Sequence, residues 1–324
     1  MTELANAALL GIDWGTSSLR AVALDASGRI LAQRNSPSGI QAIEPGAFEQ
    51  TLEALLAPWQ IDTKVPVVLS GMITSRNGWV ETPYLPTPAA LDALAGALVP
   101  LRSAAGRRLH FVPGVSQAGP ASAGVAPDVA AGPQADVMRG EETELLGWLA
   151  AARQKAGEAS APSMSGQFVL PGTHSKWAQV QDGRIESFAT CMTGEIFHVL
   201  SKHTILSKLM EADAVSPPAF TAGAELGLRE PARLLAHCFS VRALPLLGRM
   251  PVGQTRDYLG GLLVGAEVAG QIDQAANQLI VIGRGDLAAR YAQVIAMAGR
   301  QAVVAEPGSA AHGQLALARL AGLL

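Results

Sequence analysis

The stretch "GIDWGTSSLR AVALDASGRI", residues 11–30, decides how this chain is read. An apolar run from Ala7 to Leu10 leads to Asp13, a glycine turn and three successive hydroxyls, Thr16, Ser17 and Ser18. Glycine-rich turns after a strand usually open onto a helix whose N-terminus holds a phosphate. Here the turn opens onto Leu19–Leu24, which reads as a second strand, then a turn at Asp25–Gly28 and a third strand from Arg29. The sequence therefore predicts an anion-binding type of turn inside a β-hairpin.

The same layout returns in "PGTHSKWAQVQDGRIESF" at 171–188. Gly15-Thr16-Ser17-Ser18 is answered by Gly172-Thr173-His174-Ser175, 157 residues further on. Asp25 is answered by Asp182, and each is followed by Gly-Arg-Ile, at Gly28–Ile30 and Gly183–Ile185. An offset of about half the chain predicts an internal duplication at domain scale.

Each half then alternates helices and strands. The first shows a helical stretch near Ala47–Pro58, a strand at 65–71, a helix at Pro88–Val99, a strand at 109–114 and a helix at Glu141–Ala152. The second shows a helical block near Glu195–Met210, a helix at Gln254–Gln271, strands at 278–283 and 301–306, and helices at Asp286–Gly299 and Ala310–Leu323. This pattern predicts an α/β layer fold. Residues 153–166, rich in Ser, Ala, Gly and Pro, read as a linker, which gives an N-terminal domain over 1–152 and a C-terminal domain over 167–324.

Composition narrows the function class. The net charge of −3 and the 16% of charged residues give no electrostatic reason to expect nucleic acid or an anionic membrane as partner. Cys191 and Cys238 are too few for a disulfide framework and lie outside metal-ligand spacing. The N-terminal "MTELANAALLGID" starts acidic, unlike a signal peptide, and the most apolar window, "YLGGLLVGAEVAG", is interrupted by Glu267. A cytoplasmic protein acting on a small molecule is the expectation.

Two hydroxyl-rich turns from pseudo-symmetric domains offer backbone N–H and hydroxyl donors to one polyphosphate, because concave runs of amides bind anions without a lysine. Asp13 ends the first strand and is a carboxylate for Mg²⁺, which takes one or two protein carboxylates and keeps several waters. Gly283-Arg284-Gly285, a glycine turn between strand and helix, allows a nucleoside to approach the backbone, and Asp286 is placed to cap the helix that follows.

These parts, in this order, resemble the superfamily of actin, hexokinase and heat-shock-chaperone ATPases. More narrowly, "IDWGTSSLRA" (12–21), "GMITSRNGW" (71–79), "PYLPTPAA" (83–90), "VMRGEETELLG" (137–147), "PGTHSKW" (171–177), "TGEIFHVL" (193–200) and "LGGLLVGAEV" (259–268) resemble the bacterial 2-dehydro-3-deoxygalactonokinase family. The resemblance implies two tandem ribonuclease H-like domains with an interdomain cleft, ATP and Mg²⁺ as cofactors, and phosphorylation of a sugar acid at its 6-hydroxyl. The phosphates then fall to Gly15, Thr16, Ser17 and Ser18 of one hairpin and to Gly172, Thr173, His174, Ser175 and Lys176 of the other. Gly283, Arg284 and Gly285 form the adenosine loop.

Related sugar kinases place an Asp base after a glycine at a helix start, where this chain reads Arg139-Gly140-Glu141-Glu142-Thr143-Glu144. Glu141 is the first candidate for the base and Glu142 the second, while Glu144 reads as a stabiliser of the helix N-terminus. Ser75, Arg76, Asn77 and Trp79 are candidates for binding the substrate. Its carboxylate wants a bidentate fork, from Arg76 or from Arg139. Trp14 and Trp177 read as core. A kinase for another sugar or sugar acid, and an actin- or chaperone-like ATPase with a conformational output, are the alternatives. Substrate-stimulated ATP turnover separates a kinase from the latter.

Overall fold

The structure, a computed structural model, describes residues 4–118, 135–156, 165–211, 215–283, 285–305 and 308–324. The chain divides into two compact units. The first takes the described residues up to Ser165 together with Val180–Phe188 and Gly308–Leu324; the second takes Gly166–Gln179 and the described residues from Ala189 to Ala305.

The first unit is built on the opening hairpin. Strands β1 (Leu9–Trp14), β2 (Leu19–Leu24) and β3 (Ile30–Ser36) form an antiparallel meander. The β2–β3 turn is an Asx turn, with Asp25 Oδ1 accepting from the N–H groups of Ser27, Gly28 and Arg29, and Gly28 at φ +99°. After helix α1 (Phe48–Leu56), strand β4 (Val67–Ser70) pairs parallel with β1 and sets Ser70 beside Asp13. The short helix α2 (Leu91–Gly96) precedes β6 (Val99–Arg102), which pairs antiparallel with β7 (Arg108–Phe111). That pairing is why the helix expected over Pro88–Val99 is shorter. The six-stranded sheet runs β3-β2-β1-β4-β7-β6. Strands β5 (Tyr84–Pro86), β8 (Gly114–Gln117) and β9 (Asp136–Met138) make a separate three-stranded sheet. The alternate residues Leu10, Ile12 and Trp14 of β1 pack with Leu52 and Leu56 of α1 and with Leu69 and Phe111, the periodicity a one-sided core demands.

Helix α3 (Glu141–Ala156) follows β9. Residues 157–164 of the expected linker lie outside the described residues; at its ends, α3 extends to Ala156 and β10 (Gly166–Leu170) begins at Gly166.

A five-stranded sheet repeats the first pattern. Its order is β12-β11-β10-β13-β14, from β11 (Ser175–Gln181), β12 (Arg184–Cys191), β13 (Leu279–Val281) and β14 (Val303–Val304). As in the first sheet, three sequential strands lie edge to centre and two parallel strands continue beyond the first of them. Asp182 and Gly183 both have positive φ, 51° and 77°, as a two-residue hairpin turn requires.

The second unit also holds helices α4 (Thr193–His203), α5 (Pro217–Arg229), α6 (Leu234–Cys238), α7 (Ser240–Leu246), α8 (Thr255–Gln271) and α9 (Gly285–Met297). Helices α5 and α8 touch backbone to backbone, since a methyl on Gly261 would lie 1.9 Å from the Phe220 carbonyl oxygen and one on Gly223 would lie 2.1 Å from that of Tyr258.

The division departs from the expected C-terminal boundary. Helix α10 (Ser309–Leu320) belongs to the first unit. Gln314 Nε2 donates to the Ile12 carbonyl and to Ser70 Oγ, both at 2.9 Å. Gly147 and Gly313 let α3 and α10 meet without intervening side chains.

Candidate active site

The hydroxyl-rich turn at 15–18 is closed by Gly15 N–H donating to the Ser18 carbonyl at 2.9 Å. Ile40 and Gln41, at the start of a short 3₁₀ turn, donate to the carbonyls of Gly15 and Thr16 at 3.0 and 3.3 Å. The turn's acceptors are thus occupied from behind. Thr16, Ser17 and Ser18 are exposed, and their N–H groups have no hydrogen-bond partner among the described residues. Gly39 makes this seat possible, because a methyl there would fall 2.3 Å from the Thr16 oxygen. Trp14 forms the floor as expected of a core residue, fully buried, with Nε1 donating to the Ser38 carbonyl at 2.8 Å.

The turn at 172–174 has the same support. Glu195 N–H donates to the Thr173 carbonyl at 2.9 Å, and a methyl on Gly194 would meet the Gly172 oxygen at 2.3 Å. Thr173 thus stands where Thr16 stands in the first hairpin. Thr173 and His174 are exposed, and His174 Nε2 lies 2.6 Å from Glu195 Oε2. Sequence reasoning missed Gly39 and Gly194; their only signal is a glycine at the helical start after each third strand.

Two residues expected at this turn are placed differently. Ser175 is fully buried with its Oγ 2.9 Å from Tyr291 OH, and Lys176 is buried with Nζ donating to Thr190 Oγ1 at 2.8 Å. Their strand has both faces covered, so the alternation that suggested an outward lysine does not operate. Gly283 follows β13 and Gly285 opens α9, with nothing within 4 Å of a methyl added to Gly285. Arg284 lies outside the described residues. Asp286, expected as a cap, sits inside the first turn of α9.

The carboxylates gather at the end of β1 and the start of α3. Asp13, with its side chain about one-third exposed (30%), lies 3.9 Å from Arg20 on the facing strand. Burial pushes its carboxyl up and Arg20 pulls it down. Gly71, at φ +92°, leaves room beside Asp13, and Gly140, at φ +112°, packs on Gly71. Glu141 Oε2 accepts from Arg139 N–H at 3.0 Å. Glu142 is buried and turns back to accept from Gly140 N–H at 2.7 and 2.9 Å and from Thr143 Oγ1 at 3.0 Å. Burial, then the charge of Glu141, pushes it up to about 7. Glu144 is pushed up to about 8 by burial and then by the charge of Asp13. The residue expected only to stabilise the helix therefore feels the charge of Asp13. Its three-residue spacing from Glu141 puts the two on one helix face.

The arginines part company. Arg139 Nη1 donates to the Thr74 carbonyl, Thr74 Oγ1 and Thr82 Oγ1, Nη2 to the Thr82 carbonyl and Nε to Tyr84 OH, while the guanidinium lies 4.2 Å from the Tyr84 ring centroid. This fork is occupied by the protein itself. Arg76 and Asn77 are exposed. Ser75 is buried and donates from Oγ to the Met72 carbonyl at 2.7 Å. Trp79 belongs to an aromatic row, stacked on Phe48 at 6.5 Å and edge-on to Phe111 at 5.7 Å.

Among the described residues there is no group of three or more His, Cys, Asp or Glu side chains that could hold a metal ion, and no helix long and apolar enough to cross a membrane. An anion handled with Mg²⁺ fits such a site, since that ion takes most of its ligands from phosphates and water.

Turns with free backbone donors, carboxylates at a strand end and a mixed α/β frame are the equipment of a phosphotransferase. Residues 13–318 match the family model for 2-keto-3-deoxy-galactonokinase. The chain belongs to this family of sugar-acid kinases. It is 35% identical to the 2-dehydro-3-deoxygalactonokinase of Escherichia coli (strain K12), over 94% of this chain and 97% of the relative. It is 36% identical to the "Probable 2-dehydro-3-deoxygalactonokinase DgoK1" of Rhizobium meliloti (strain 1021), over 86% of each. The crystal structure of a "putative 2-dehydro-3-deoxygalactonokinase protein" from Sinorhizobium meliloti superposes with a TM-score of 0.82 at 34% identity, covering 96% of this chain and 98% of that one.

Proposed function

We propose that this protein transfers the γ-phosphoryl group of ATP to the 6-hydroxyl of 2-dehydro-3-deoxy-D-galactonate, as a cytoplasmic step of galactonate breakdown. The family match over residues 13–318 carries this reading. The repeated strand order supports tandem ribonuclease H-like domains, and in this proposal each lends one hairpin turn to the phosphates.

In this reading the turns Gly15–Ser18 and Gly172–His174 bind the phosphates through backbone N–H groups and hydroxyls, among them those of Thr16, Ser17 and Ser18, and Gly283 and Gly285 admit the adenosine. Asp13 would hold Mg²⁺, whose chemistry when bound would be to neutralise charge on the phosphates. Glu141 accepts the proton of the attacking hydroxyl. Its place in the first turn of α3 favours the ionised form that a base needs. Glu142, committed to Gly140 and Thr143, holds the helix start. The far end of the substrate must be clamped for in-line attack. Since Arg139 is occupied, exposed Arg76 is the fork for the carboxylate.

Steady-state ADP release checks this reading. The keto acid should be strongly preferred to galactose and glucose, which lack the carboxylate. Arg76→Ala should lower kcat/KM for the acid by roughly 1.5–3 kcal/mol, the cost of a lost charge-assisted hydrogen bond. A panel led by the neutral hexoses overturns the substrate assignment, and an unchanged kcat/KM in Arg76→Ala removes the clamp from that residue.

A further inference from the structure

The motif "LGGLLVGAEV" at 259–268 carries a glutamate that the proposed chemistry does not use. Glu267 lies in α8 and is 7% exposed. Its Oε1 accepts from Trp177 Nε1 at 2.7 Å and its Oε2 from Tyr291 OH at 2.7 Å. Burial raises the Glu267 carboxyl, and the hydroxyls of Thr193 and Ser175, acting as donors towards it beside Trp177 and Tyr291, lower it. Tyr291 OH in turn lies 2.9 Å from Ser175 Oγ. Tyr291 OH donates its hydrogen bond to Oε2, which leaves the Tyr291 oxygen free to accept from Ser175 Oγ. The chain of hydrogen bonds therefore runs from the residue after the second turn, through α9, to α8.

We propose that Glu267 is the positioning residue of the second hairpin turn, holding Gly172–His174 in the shape that receives the phosphates of ATP. The proposal rests on the assignment of that turn made above. Glu267 grips both flanks of the turn. On one side it holds Ser175, through Tyr291, and Trp177 of β11. On the other it holds Thr193, the first residue of α4, whose neighbours Gly194 and Glu195 pack on and bond to the turn. Packing alone does not call for a carboxylate here. The site lies beside the cluster of Val169, Val264, Val268 and Val281, where an apolar side chain would avoid the cost of taking a charge out of water. What a carboxylate adds is fixed direction for several donors at once.

Two variants and one control test this. Glu267→Gln keeps the volume and one acceptor but sets an amide donor against Tyr291. Tyr291→Phe removes a single oxygen and keeps the ring in place, so it carries the test should the first variant not fold. In each, KM for ATP should rise about tenfold, on the scale of one lost hydrogen bond, with KM for the sugar acid within about twofold. A merely structural role would lower the melting temperature and leave both KM values of the folded enzyme unchanged. In the control, Thr173→Glu puts a negative charge on the exposed turn and should raise KM for ATP more than tenfold. If the control raises it and neither buried variant does, the role of Glu267 is overturned while the turn assignment stands. If Thr173→Glu leaves it unchanged, the turn assignment falls and the role of Glu267 with it.

Discussion

Replacing Asp13 by Asn is expected to lower kcat by about 10²–10³-fold or more, the range seen when one electrostatic stabiliser of a transition state is removed. The reason lies in the position of the carboxylate. Asp13 is the next-to-last residue of β1, opposite Arg20 and alongside Ser70 of β4, and a methyl on Gly71 would lie 3.4 Å from its carboxylate. Asn keeps the shape and loses the charge that would hold Mg²⁺. The fold should tolerate the change, because the Asp13 side chain is 30% exposed and its ion pair with Arg20 is long, at 3.9 Å. Exposed pairs of this kind contribute at most about 1 kcal/mol. Kinetics with a parallel thermal melt decide the matter: near-normal kcat in a folded variant refutes the metal assignment.

Glu141→Gln is the second large effect, with kcat falling by about 10²–10⁴-fold as expected for loss of a general base. ATP affinity should persist, since Glu141 is assigned to the acceptor hydroxyl. Glu142→Gln separates the two neighbours. Its carboxyl is raised to about 7 from an ordinary 4.5, so the native state binds a proton more tightly than the unfolded chain. That contribution is complete below pH 4.5 and is lost as pH rises towards and through 7. Glu142→Gln should keep most of kcat and flatten the decline of melting temperature across this window. If the kinetic loss instead follows Glu142→Gln, the base is Glu142 and the register is off by one.

The parts legible in the sequence are those set by neighbours in the chain. Asp25 and Gly28, and Asp182 and Gly183, carry their turn chemistry locally, and so both meanders are legible in the sequence. The glycine turns were legible for the same reason. What escaped depends on distant partners. Helix α10 joins the first unit through Gln314, which reaches Ile12 across 302 residues. Arg139 looked available because the threonines that occupy it, Thr74 and Thr82, are 65 and 57 residues away. Ser175 and Lys176 looked like turn residues because nothing local shows that both faces of β11 are covered. Glu144 reads locally as a helix stabiliser because Asp13, whose charge helps to raise it, lies on β1, far away in the chain.

The position of the phosphate in the product tests the central claim most directly. Wild-type enzyme given ATP, Mg²⁺ and 2-dehydro-3-deoxy-D-galactonate should release ADP and a sugar-acid monophosphate in equal amounts, with phosphorus–proton NMR placing the phosphate on the 6-oxygen. ADP release independent of the keto acid, or a phosphate at another oxygen, would contradict it.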